Sequence, residues 1–168
     1  MLKNIAIKVI SNGFCLLVPI FLFNMIFANK LPAPFSTDKF DQGIPDYILM
    51  SENILRVIVF ILPVFMKIGL TNNIQKIGLL IYLIGILLYF ASWFILIYYP
   101  GSRWSTGLIG FMAPAYTPLI WLIGIGMICY NSNIINIYRP WMYFVFSILF
   151  TGIHSYHTYL AYLHFNYK

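Results

Sequence analysis

Long apolar runs alternate with short polar breaks along the chain, at about 4–28, 51–70, 77–99, 106–130 and 141–163. A bilayer core is about 30 Å thick and an α-helix rises about 1.5 Å per residue, so roughly 20 mostly apolar residues span it. Each run meets that length. The breaks carry turn chemistry. Residues 29–50 hold Pro32, Pro34, Gly43, Pro45 and three aspartates, Thr71-Asn72-Asn73 and Pro100-Gly101-Ser102 are tight, and Asn131-Ser132-Asn133 leads to Arg139-Pro140. The pattern predicts an all-α fold, an integral membrane bundle of five transmembrane helices with a long first loop, residues 1–168 forming a single transmembrane helical domain. Only elements that satisfy their own backbone hydrogen bonds cross lipid. Lys3 and Lys8 precede or enter the first run, but Phe27-Ala28-Asn29-Lys30 is no small-x-small cleavage site, so this run reads as a retained anchor.

Helix contacts inside a membrane use small and weakly polar residues, whereas lipid-facing positions take large aliphatic ones. A 3-4 spacing of small and polar residues therefore marks the inward face of each run. The third run has Gly78, Tyr82, Gly85, Tyr89 and Ser92, and the fourth Arg103, Gly107, Gly110, Pro114, Thr117, Trp121 and Gly124. The second aligns Glu52, Arg56, Pro63 and Lys67, the fifth Ser147, Thr151, His154 and Thr158 with His157 adjoining, and the first Lys8, Asn12, Cys15 and Pro19. Such stripes serve packing in any bundle. Those on the second and fifth runs also contain ionisable groups, which are costly in a membrane and point to function. Pro114 and Pro118 each remove a backbone donor, so the fourth helix is expected to kink there.

Composition narrows the class. Apolar residues make up 61% of the chain and charged residues 8%, against about 25% charged in a soluble domain. A soluble domain and a disordered chain are both excluded. The net charge of +6 comes from basic residues scattered singly, not gathered into a stripe that follows a phosphate backbone, which excludes nucleic acid as a partner. Cys15 and Cys129 belong to no metal or redox motif and read as core thiols. Lys and Arg divide almost evenly between the two faces. The expected location is a bacterial-type cell (inner) membrane, with the N-terminus cytoplasmic.

Alternating helix direction brings the start of the second run, the end of the third, the start of the fourth and the end of the fifth to one membrane half. Glu52, Arg56, Tyr99, Arg103, Tyr116, His154 and His157 share that half and form the candidate ligand-binding set. Glu52 and Arg56 are four apart and their side chains can meet. Arg56 reads either as a headgroup anchor or as a charged cavity wall, and Arg103, beside Trp104, as a headgroup anchor. His154 and His157, spaced i, i+3, read as packing histidines, as ligand contacts, or with Glu52 as metal ligands. No catalytic signature, phosphate loop or cofactor motif is present.

These residues suggest a multi-pass membrane protein that binds, transports or senses a small amphipathic or anionic ligand or lipid. Arg56 would neutralise an anionic group, the histidines would donate hydrogen bonds, and Tyr and Trp would hold an apolar tail. A non-catalytic accessory or immunity-type subunit packing against a membrane protein partner is one alternative, and a metal-dependent membrane enzyme another. The helix layout, length and aromatic content resemble the tryptophan-rich sensory proteins, but the tryptophan and proline clusters of that family are missing from residues 29–50 and from the fourth run.

Overall fold

The computed structural model describes residues 12–129, 131–132 and 140–166. The expectations for Lys3, Lys8 and Arg139 lie outside these residues. The regular elements of the described residues are helical apart from one short antiparallel pair. In chain order, a 3-10 turn Gly13–Leu16 leads into α1 (Val18–Phe27), and the first loop carries α2 (Thr37–Phe40). Then come α3 (Asp46–Ile61), the 3-10 turn Leu62–Phe65, β1 (Met66–Lys67) and α4 (Asn73–Tyr98). The second half consists of α5 (Arg103–Thr106), α6 (Leu108–Tyr116), α7 (Pro118–Ile128), β2 (Asn131–Ser132) and α8 (Pro140–Asn166).

Among the described residues four segments are long and apolar enough to cross a membrane: Gly13–Lys30, Asp46–Phe65, Asn73–Tyr98 and Leu108–Ile128. These support an integral, multi-pass membrane protein. The fifth expected span, α8, has 27 residues, ample length for a crossing, but it is not among the segments apolar enough for one. The cause is the polar stretch His154-Ser155-Tyr156-His157-Thr158-Tyr159 in its second half.

The inward stripe of α4 is as expected: Gly78, Tyr82, Gly85, Tyr89 and Ser92 are all buried. Asn72 and Gln75 form a capping box at its start, Gln75 N–H donating to Asn72 Oδ1 at 2.8 Å and Asn72 N–H to Gln75 Oε1 at 3.2 Å. The most extensive helix contact pairs α4 with α7. It depends on glycines, since a Cβ on Gly85 would stand 2.5 Å from the backbone nitrogen of Trp121, and one on Gly124 2.6 Å from the Tyr82 backbone. The fourth run breaks at Thr117, between α6 and α7, and Pro114 sits inside α6. The Thr117 hydroxyl donates to the Ala113 carbonyl at 2.8 Å.

Three expectations are corrected. The second helix begins at Asp46, behind Pro45, rather than at 51. An acidic residue in the first turn complements the helix dipole, and the earlier start sets Arg56 about 15 Å into the helix instead of about 7 Å. In the first run Pro19 is exposed, while Leu17, Ile20 and Phe23 point inward. That helix packs by apolar shape, with the Phe23 ring stacked on Phe90 at 4.3 Å, and it is tied down by the Tyr82 and Tyr89 hydroxyls, which donate to the Leu16 carbonyl at 2.6 Å and to Asn24 Oδ1 at 2.8 Å. Finally, β1 pairs with β2, Met66 opposite Ser132, and Asn12 bridges Lys67. A paired segment this short leaves no periodic signal in the sequence.

Candidate functional site

Glu52 lies on the second turn of α3, about 9 Å from the helix start. It is 2% exposed, and a carboxylate so placed requires partners. It has three: His157 Nδ1 lies 2.6 Å from Oε2, His154 Nδ1 lies 3.1 Å from Oε1, and the Arg56 guanidinium pairs with Oε1. The i, i+3 spacing of the histidines on α8 lets both imidazoles reach one carboxylate across the α3–α8 contact. Arg56, with 42% of its side chain exposed, also donates to Asn53 Oδ1 at 3.2 Å.

The first loop closes the cluster from outside. His157 Nε2 lies 3.3 Å from the Phe40 carbonyl and 3.4 Å from Asp41 Oδ1, and the Phe40 ring rests on the imidazole at 4.5 Å. A carbonyl only accepts, so His157 Nε2 carries a proton. Its Nδ1 then shares a proton with Glu52, as imidazolium facing carboxylate or as neutral imidazole facing carboxylic acid. Gly43, at φ +77°, lets the loop turn back. Only glycine adopts that conformation freely, and a Cβ there would also meet the His164 ring at 3.0 Å.

His154 differs from its neighbour. Its ring lies parallel to that of Phe150, at 5.6 Å. With Nδ1 donating to Glu52, its Nε2 is a free acceptor in the neutral ring and a donor in the charged one. The same residue lines a cavity of about 190 Å³ with Leu31, Phe35, Phe40, Trp93, Pro114, Ala115 and Thr158. Pro114, inside α6, thus forms one wall, and the histidine is the one ionisable group in the lining.

Of the sequence-derived set, Glu52, Arg56, His154 and His157 come together. Tyr99, Arg103 and Tyr116 stand apart, with no hydrogen bond or ion pair to the cluster among the described residues. Tyr99 caps the C-terminus of α4, and its carbonyl accepts from Ser105 Oγ at 2.7 Å in the turn that Arg103 begins. The Tyr116 hydroxyl donates to the Ile109 carbonyl at 3.2 Å. Sequence reading missed Phe40 and Asp41, whose one available signal was an acid beside an aromatic in a proline-rich loop. Among the described residues no group of three or more His, Cys, Asp or Glu is arranged to hold a metal ion. The two histidines approach different oxygens of Glu52 by hydrogen bonding instead of converging on a common point. Cys15 and Cys129 are not joined in a disulfide. Comparison with protein-family models, curated protein sequences and solved structures gave no match to this chain, so the reading of the site rests on its chemistry.

Proposed function

We propose that this chain is a multi-pass membrane protein that binds a small amphipathic molecule or lipid in one membrane half, in a transport or sensing role, with His154 as the polar anchor. The observation that carries the reading is the orientation of His154: one ring nitrogen is held by a buried carboxylate and the same side chain lines an apolar cavity. Ligand pockets commonly combine mostly apolar walls with one or two fixed polar groups, and a buried carboxylate behind a histidine fixes its tautomer and orientation, as behind a metal-bound imidazole. The charge balance favours the amphipathic over the anionic form of the ligand, because Arg56 is already matched by Glu52.

The test is recovery of bound small molecules. The full chain is purified in a mild detergent, extracted, and the extract compared by mass spectrometry with that of His154→Leu, with helix content checked by circular dichroism. A compound stoichiometric with the parent chain and depleted at least fivefold in the variant is expected. Identical extracts from two equally folded proteins contradict the proposal.

A further inference from the structure

A second cavity, of about 230 Å³, adjoins the first, and its lining includes Phe23, Asn24, Phe27, Ala28 and Tyr89. Leu31 and Trp93 line both cavities. Each alone is smaller than the roughly 300–1,000 Å³ of a small-molecule site, but joined past Trp93 they enter that range. The partition also has unused chemistry. The Trp93 indole N–H is buried, and the Tyr89 hydroxyl beside it gives its own proton to Asn24 Oδ1. A buried donor with no well-formed hydrogen bond is costly, and a small turn of the ring toward a ligand oxygen at the partition would satisfy it.

We infer that the two cavities form one elongated site for an uncharged, single-chain amphiphile with a hydroxyl-bearing head, an acceptor oxygen next to it, and an apolar tail. The inference rests on the reading of His154 above and extends it to a ligand class. The order of groups follows the order of walls. The hydroxyl meets His154 Nε2, a carbonyl or ester oxygen meets the Trp93 N–H, and the chain lies among Phe23, Phe27 and Ala28, where the exposed Asn24 and Ala28 mark the exit toward lipid. A carboxylate head is disfavoured, because it would stand near the Glu52 carboxylate while Arg56 is engaged by Glu52 and Asn53. Lys30 lies 5.4 Å from the Phe27 ring centroid, at the tail end of the site.

Binding is read as concentration-dependent thermal stabilisation of the full chain in nanodiscs, followed by circular dichroism. The probes are monodecanoylglycerol, decanoate at pH 8, and 1,2-dodecanediol, which keeps hydroxyls and chain but lacks the ester. The parent chain is expected to bind monodecanoylglycerol saturably and at least tenfold tighter than decanoate. Ala28→Phe, which fills the tail end at an exposed position, should weaken it at least tenfold. Trp93→Phe should weaken the monoester about three- to tenfold, the range of one hydrogen bond, and the diol less than twofold. Unchanged affinity in Ala28→Phe, equal effects of Trp93→Phe on ester and diol, or tighter binding of decanoate overturns the inference. If His154→Leu abolishes binding while Ala28→Phe leaves it intact, the single-cavity reading stands and the elongated site falls. No saturable shift in the parent chain also overturns the elongated site, and the reading of His154 is then decided by the extract comparison alone.

Discussion

Glu52→Gln removes one charge, keeps the shape, and strikes the group on which α3, α8 and the first loop converge. The carboxylate accepts from His154, His157 and Arg56 at 2% exposure. A hydrogen bond to a charged group is worth about 1.5–3 kcal/mol, and breaking a buried pair costs about 3–5 kcal/mol. Glutamine keeps one acceptor oxygen, so one imidazole retains its partner while the other faces an amide NH₂ that must donate. Arg56 is 42% exposed and keeps Asn53 Oδ1 as a second partner, so its pair with Glu52 is weighted at the exposed-pair value of about 0–1 kcal/mol. The expected destabilisation of Glu52→Gln is therefore about 2–4 kcal/mol, against less than about 1 kcal/mol for Arg56→Gln. Reversible unfolding in mixed micelles of mild detergent and dodecyl sulfate measures both. A double-mutant cycle of Glu52→Gln with His157→Gln should show a coupling of about 1–3 kcal/mol. A loss below about 0.5 kcal/mol for Glu52→Gln, or a coupling near zero, would refute the reasoning, since the carboxylate would then be solvated rather than held by the histidines.

Three further outcomes follow from packing. Gly85→Ala and Gly124→Ala, whose Cβ atoms would lie 2.5 Å and 2.6 Å from the facing helix backbone, should each cost about 1–3 kcal/mol through overpacking, while Gly152→Ala, with nothing within 4 Å, should be neutral or stabilising in the same unfolding assay. Gly43→Ala forces a positive φ worth about 1–2 kcal/mol and should raise hydrogen exchange of the loop amides around Phe40 and Asp41; unchanged exchange counts against the loop as a closure over His157. Cys129, 0% exposed, should react with a maleimide at least tenfold faster after unfolding than before, because the reactive thiolate is suppressed in buried apolar surroundings.

The helix pairing was legible where it depends on residue size. Gly78, Gly85 and Gly124 stand out in an aliphatic run because only small residues let two backbones approach, so periodicity named the inward face of α4 directly. In the first run the inward face is hidden, because Pro19, spaced with Lys8, Asn12 and Cys15, tolerates an exposed first turn, while Leu17, Ile20 and Phe23 look the same whether they face protein or lipid. Within the candidate site, Glu52, Arg56, His154 and His157 were found by their cost in a membrane, and helix direction brought them together. Phe40 was not, since its contact with His157 joins positions 117 residues apart through a loop whose path depends on Gly43 and on tertiary packing. Tyr99, Arg103 and Tyr116 share the expected end of the helices but belong to a turn and to a helix surface, a distinction that depends on rotation about the helix axis.

A density map of the full chain in lipid nanodiscs would show the cluster and its neighbouring cavity together. The Glu52 carboxylate is expected between both imidazoles, with density for a small amphipathic molecule against His154 in the space bounded by Phe35, Trp93 and Pro114. Histidines turned outward among headgroups, with that space closed by side chains, would contradict it.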